Sequence, residues 1–413
     1  MSVTQTPNPT RACAGVDWAK DDHAVCVVGD QGEALERFSV THDAAGLKSL
    51  VRRLLNAGVA EVGIERPDGP VVEALLQAEL TVLVIPPGQL KNLRSRYGSA
   101  GNKDDRFDAY VLADVVRTDR RRLRPLVRDS EATTALRSMV RARRDLVAHR
   151  VAVANQLRAH LQSVFPGAAT LFRDIDSEIS LRFLERFATQ AQADWLSPKR
   201  LAAWLRSVGY CGRTDPAALH AKLAAAPRGA TGENALVHAA TTTAFVAVLR
   251  TLTAQIHALA ERIAEQLALH PDGHVFTSLP RSGSVRAARL LAEIGDARGR
   301  FPTADSLACL AGVAPSTRQS GKTTAVTFRW GADKQLRDAL CDFAGDSRHA
   351  NPWAADLYRR ARARGHDHPH AVRILARAWA HVIWRCWHDN RPYDPARHGA
   401  LQRVLSQDQT TAA

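Results

Sequence analysis

The chain has 413 residues, 45% of them apolar and 24% charged, and its formal net charge is +14. That length exceeds one ordinary core and predicts two or three domains, in a globular chain rather than a disordered one. The surplus of positive charge favours a polyanionic partner, nucleic acid above all.

In chain order, "MSVTQTPNPT" reads as a disordered lead-in without the apolar run of a secretion signal. "AGVDW", "HAVCVVG" and "ALERFSV" read as three successive strands. The helix "DAAGLKSLVRRLLNAG", the strand "AEVGIE", the helix "PVVEALLQAE", the strand "LTVLVIP" and the helix "DRFDAYVLADVVR" follow. Three strands and then α-β-α-β-α is the element order of an RNase H-like domain, a mixed sheet with helices on its faces. Its expected extent is residues 1–125.

From Glu131 to Phe165 the pattern is one long Arg-rich amphipathic helix. Residues 166–235 read as irregular and helical. In a second long helix Phe245, Leu249, Leu252, Ile256, Leu259, Ile263 and Leu267 recur at the spacing of a coiled-coil seam, able to pack within the chain or between subunits. Residues 126–270 are therefore expected to form a helical, coiled-coil middle. A mainly α domain is expected over 271–400, its core built on Trp353, Trp379, Trp384 and Trp387, and a disordered tail over 401–413. "LPRSGSVRAARLLAEIGD" has a Gly turn before a helix, like half of a helix-hairpin-helix; "STRQSGK" reads as a polar loop and "AVTFRW" as a strand. The histidines of "GHDHPH", residues 365–370, read as a solvated interhelical loop. No run approaches ~18 unbroken apolar residues. Six scattered cysteines without a C-x-x-C pair fit neither a zinc site nor a disulfide framework, so a reducing cytoplasm is expected.

Charge is unevenly placed. Residues 1–117 carry 13 Lys and Arg against 16 Asp and Glu, whereas residues 118–165 carry 11 Arg against 4 acids. An acidic head suits a metal, and an arginine neck containing Arg141, Arg143 and Arg144 suits phosphates.

Four acids stand out. Asp17 ends the first strand, and Glu65 ends a strand that this topology sets beside the first. Asp105 and Asp108 share a helical face. Converging carboxylates repel unless divalent cations neutralise them, and an all-oxygen set suits Mg²⁺ or Mn²⁺. Taken singly, each has an ordinary alternative: Asp17 capping a turn, Glu65 paired with Arg66, Asp105 and Asp108 facing the helix dipole. Asp104 lies off the helical face and Asp68 in a turn. In "APSTRQSGK" a serine flanked by Arg318 and Lys322 would be able to reach a phosphate.

"GVDWAK", "GIERPDG" and "KDDRFDA" together resemble the three acidic motifs of the DEDD insertion-sequence transposases, the family that includes the Piv-type DNA invertases. "LPRSGSVRAARLLAEIGD", "LACLAGVAP" and the "SGK" loop resemble that family's C-terminal transposase domain. The resemblance implies a RuvC-like domain holding Mg²⁺ through Asp17, Glu65, Asp105 and Asp108. Asp104 replaces the threonine usual in the third motif. It further implies that Ser320, with Ser316 the lesser choice, is a nucleophile forming a phosphoserine link to DNA. The family implies cut-and-rejoin recombination guided by a structured bridge RNA, in dimers and tetramers. Other classes are a metal-only RuvC-like nuclease of junction-resolvase type, an actin-like sugar kinase, and a non-catalytic nucleic-acid-binding protein.

Overall fold

A computed structural model describes residues 12–97, 104–230 and 232–412. The predicted lead-in and Lys103 lie outside the described residues. The chain divides into two compact units at 128/129, so the expected middle and C-terminal domains belong to one unit.

The first unit is a mixed five-stranded sheet in the order β3-β2-β1-β4-β5. β1 (Cys13–Trp18) pairs antiparallel with β2 (Asp22–Val28), which pairs antiparallel with β3 (Ala34–Thr41). β4 (Glu61–Ile64) runs parallel to β1, and β5 (Thr81–Val84) runs parallel to β4. β1 and β4 thus lie side by side, as the element order predicted. Val16, Val62 and Ile64 are buried together on one face of these strands, and the opposite face carries Gly15 and Gly63. The helices are α1 (Ala44–Asn56), α2 (Pro70–Gln77), α3 (Pro87–Arg94) and α4 (Asp105–Asp119). α3 was not among the predicted elements.

α4 lies unusually close to the sheet. A Cβ on Gly15 would meet the Ala109 carbonyl oxygen at 2.1 Å and the Ala113 nitrogen at 2.5 Å, and one on Gly63 would meet the Leu112 oxygen at 2.8 Å. Two missing side chains in adjacent strands make the groove in which α4 sits. Leu112, Val115 and Val116 are fully or almost fully buried in it.

The second unit is helical apart from one hairpin. α5 (Glu131–Val164) is followed by five short helices: α6 (Pro166–Leu171), α7 (Glu178–Arg186), α8 (Gln190–Asp194), α9 (Pro198–Ser207) and α10 (Pro216–Ala225). Then come α11 (Glu233–Leu269), α12 (Gly273–Thr277), α13 (Gly283–Ile294) and α14 (Ala304–Leu310). The hairpin, β6 (Ser316–Ser320) and β7 (Thr323–Thr327), precedes α15 (Lys334–Ser347), α16 (Pro352–Ala363), α17 (His368–His388) and α18 (Gly399–Ala412).

α5 and α11 pair antiparallel: Thr133 bonds His270 at one end, and His160 bonds Thr242 at the other. The predicted seam is buried against α5 within the chain at Leu249, Ile256, Ile263 and Leu267. What forms is a two-helix hairpin whose ends enter two separate cores, one around α6–α9 and one around α13–α17. Among the described residues, Asn234–Leu269 is the one helix long and apolar enough to cross a membrane.

Two expectations need correction. The tail is α18 rather than disordered, because Leu401 is buried and Val404 and Leu405 pack on the same core. The "STRQSGK" stretch is strand β6 plus a turn rather than a loop. Several arginines of the neck also serve as internal counter-charge. Arg141 grips Glu293 with bonds of 3.0 and 2.7 Å, and Arg144 bonds Gln335. Arg137 bonds Asp129 and Arg150 pairs with Asp176. Arg143 is packed in, and burial lowers its pKa from the usual arginine range. Trp353, Trp379 and Trp387 are buried core, as expected. At "GHDHPH", Asp367 caps α17 and His368 bonds Tyr358.

Replacing Gly15 or Gly63 by Ala should lift α4 and destabilise the chain by roughly 1–3 kcal/mol or more. Gly88→Ala, at a helical site with open space around it, should be neutral or slightly stabilising. Urea unfolding followed by circular dichroism separates the two cases; equal effects at all three sites would contradict the groove.

Candidate active site

Asp17 is the fifth residue of β1 and Glu65 the first after β4. Because Val16 pairs in parallel with Ile64, the two acids emerge next to each other where their strands end. α4 starts at Asp105, and its N-cap is Asp104, whose side chain accepts from the Arg106 N–H. That capping role separates Asp104 from its neighbours. Asp105 and Asp108, one turn apart, face the strand ends that the Gly15 and Gly63 groove brings near.

Asp17, Glu65, Asp105 and Asp108 all line one cavity of about 430 Å³, together with Trp18, Lys91 and Arg94. Asp68 is not on its wall; it pairs with Arg66, which stacks on Trp18 at 4.3 Å. His23 stacks behind Trp18 and bonds His42 at 2.8 Å. Burial, followed by His42, pushes the His23 pKa down.

Arg94 was not foreseen. It projects from α3 and holds Asp108 by two bonds of 2.5 Å, from Nε and Nη2. Asp108 is only 2% exposed, so its charge needs this partner. The Arg94 pKa is raised by Asp108 first, with Glu65 and Asp17 adding to it. A cation therefore already stands among three of the four carboxylates. Among the described residues, no three His, Cys, Asp or Glu side chains lie close enough together to hold an ion. The donor set itself, four carboxylates on one wall, is of the kind that suits Mg²⁺ or Mn²⁺, and one of the four, Asp108, is held by Arg94. The sequence signal for α3 was the Pro86-Pro87 start with Leu90, Lys91, Leu93 and Arg94 at helical spacing.

The predicted serine lies in the second unit. Ser320 is the last residue of β6 and pairs with Thr323 across the turn Gly321-Lys322. Gly321 has φ +55, a conformation glycine adopts without strain. Every residue from Thr317 to Thr327 is exposed, so the Ser320 hydroxyl and the Arg318 and Lys322 side chains face solvent. Ser316 begins the same strand and pairs with Thr327, whose hydroxyl donates to the Ser316 carbonyl.

Residues 14–166 match a family model described as a transposase, that of the DEDD transposases of IS110. Residues 273–359 match the transposase IS116/IS110/IS902 family. A mini-circle candidate transposase for IS117 from Streptomyces coelicolor is 33% identical over 396 residues, covering 93% of this chain and 95% of its own. An uncharacterised IS116 insertion-element protein of Streptomyces clavuligerus is 30% identical over 94% of this chain and 97% of its own. One from IS900 of Mycobacterium paratuberculosis is 29% identical over 93% and 97%. With matches at both ends and relatives aligned along nearly its full length, the chain belongs to the IS116/IS110/IS902 family of transposases.

Proposed function

We propose that this transposase cuts and rejoins DNA with two cooperating sites: the four-carboxylate cavity and the Ser320 hairpin. The observation that carries the reading is the convergence of Asp17, Glu65, Asp105 and Asp108, from three sequence-distant elements, on one cavity. Asp17, Glu65, Asp105 and Asp108 would hold Mg²⁺ or Mn²⁺, whose chemistry there is to neutralise phosphate charge and polarise phosphate oxygens. Lys91 and Arg94, on the cavity wall, add positive charge for the DNA backbone. With an ion bound, Asp108 would serve as one of its ligands, and the Arg94 guanidinium, whose fork suits a phosphate, would be available to the DNA backbone.

At the hairpin, the Ser320 oxygen attacks a DNA phosphorus, a Ser–O–P bond forms, and the bond from phosphorus to one sugar oxygen breaks. The serine proton ends on the departing sugar oxygen, which becomes a hydroxyl. Attack by a strand-end hydroxyl on the phosphoserine then restores a phosphodiester and frees Ser320. Arg318 and Lys322 offset the charge that builds on the phosphate. A structured guide RNA and assembly into dimers or tetramers complete this reading, on the family's pattern. Among the α5 arginines, Arg141 and Arg144 have partners within the unit and keep part of their side chains exposed toward phosphates.

Protein incubated with labelled element-end DNA, its co-purified RNA and Mg²⁺ should yield a covalent adduct on denaturing electrophoresis. Ser320→Ala should abolish the adduct and strand cutting, and Asp17→Asn should reduce cutting by about 10³-fold or more. If Ser320→Ala still cuts at full rate, the metal-only nuclease reading takes its place.

Arg94→Gln leaves the buried Asp108 carboxylate without its partner, so without metal the variant should lose roughly 3 kcal/mol. Mn²⁺ should restore much of that loss and bind about tenfold more tightly than to the parent, because no guanidinium must be displaced. Melting temperatures with and without Mn²⁺ check this; a variant indifferent to Mn²⁺ would remove Asp108 from the metal set.

A further inference from the structure

Trp330 is 82% exposed, the most exposed large apolar side chain among the described residues. An indole with its face open to water can bury that face against a planar partner ring. The ring is firmly mounted. Phe328 meets it edge to face, with centroids 4.8 Å apart at 79°. The Arg337 and Arg373 guanidiniums stack on Phe328 at 4.6 and 5.0 Å. Arg337 also donates to the Arg329 carbonyl at 2.7 Å, and Arg329 donates to the Ala314 and Pro315 carbonyls. The backbone around Trp330 is therefore tied down while the indole is not covered.

Trp330 lines a cavity of about 420 Å³ whose other walls include Ser316, Arg318, Thr327 and Phe328. Strand alternation puts Ser316, Arg318 and Ser320 on one face of β6. Their cross-strand partners are Thr327, Ala325 and Thr323. The cavity is thus on the face that carries the Ser320 hydroxyl, and Ser320 lies two residues, roughly 7 Å, beyond Arg318. The surroundings are basic: residues 316–337 contain Arg318, Lys322, Arg329, Lys334 and Arg337 against the single acid Asp333. Asp333 caps α15 through bonds to the Gln335 and Leu336 N–H groups.

We propose that this cavity seats one unpaired nucleobase of the DNA strand being cut, stacked on the Trp330 indole, with its phosphate at Arg318. A flat aromatic face beside a guanidinium is the arrangement that holds single strands, and it is sequence-tolerant because every base has a π-face. The occupant is DNA rather than RNA because the stacking site and the hydroxyl that attacks DNA share one hairpin face. This assignment rests on the serine reading given above. It adds that the strand is unpaired at the cut, which lets the phosphate approach Ser320 without a complementary strand in the way.

The test uses the full chain in EDTA, so that nothing is cut, and fluorescence anisotropy of labelled oligonucleotides. The probes are a single-stranded DNA of about 12 bases, its duplex, and an RNA of the same sequence. Trp330→Ala should weaken single-stranded DNA binding about tenfold and leave duplex binding within twofold, and Trp330→Phe should recover most of the loss. A 2-aminopurine in the single strand should be quenched by the parent and not by Trp330→Ala. Melting temperatures should be equal, since the side chain is exposed. Single-stranded DNA binding within twofold of the parent in Trp330→Ala would overturn the proposal. So would a loss confined to RNA, or a loss of self-association with DNA binding intact. Ser320→Ala separates the two readings. If it abolishes the adduct while Trp330→Ala binds normally, only the stacking site fails. If Trp330→Ala loses the strand while Ser320→Ala still forms the adduct, only the serine reading fails.

Discussion

Everything at the acidic cavity depends on how closely α4 approaches the sheet. Gly15 and Gly63 sit in adjacent parallel strands, and each would drive a Cβ into α4 backbone. Their absence of side chains lets Asp105 and Asp108 stand opposite Asp17 and Glu65 instead of a helix diameter away. The same contact buries Leu112 and Val116 completely, so packing energy and site geometry come from one set of residues. The helix that carries half of the acids cannot drift without opening the core.

Gathering carboxylates raises an electrostatic cost, and the chain meets it with arginine. Asp108 has Arg94, Glu293 has Arg141, Asp129 has Arg137, and Asp272 has Arg298 through two bonds. In each case a carboxylate under a tenth exposed is matched by a guanidinium, through both of its oxygens at Asp108, Glu293 and Asp272. The difference at Asp108 is its company: Glu65 and Asp17 act on the same guanidinium. A cation bound by one acid and attracted by two more offsets the charge the four carboxylates bring together.

Much of this was legible in the amino-acid sequence, and the misses have physical causes. Small and β-branched apolar runs marked β1, β2, β4 and β5, and the RNase H-like element order set β1 beside β4. The convergence of the acids followed from that order. α3 escaped notice because it is eight residues long and contains two of the chain's strongest structure breakers, Pro87 and Gly88. With it went Arg94. β6 reads "STRQS", without an apolar residue, and alternation gives no signal where neither face is buried. α18 carries Leu401, Val404 and Leu405 at helical spacing, but the polar run after them outweighed it. The arginines of α5 could be counted from sequence, whereas their partners, such as Glu293 more than 150 positions on, are set by tertiary packing alone.

The β6–β7 hairpin buries nothing beneath its own strands, so it contributes little to the free energy of folding. Side chains along it are consequently free to vary without penalty to the rest of the molecule. Drift there changes the hairpin's exposed surface and leaves the scaffold as it was.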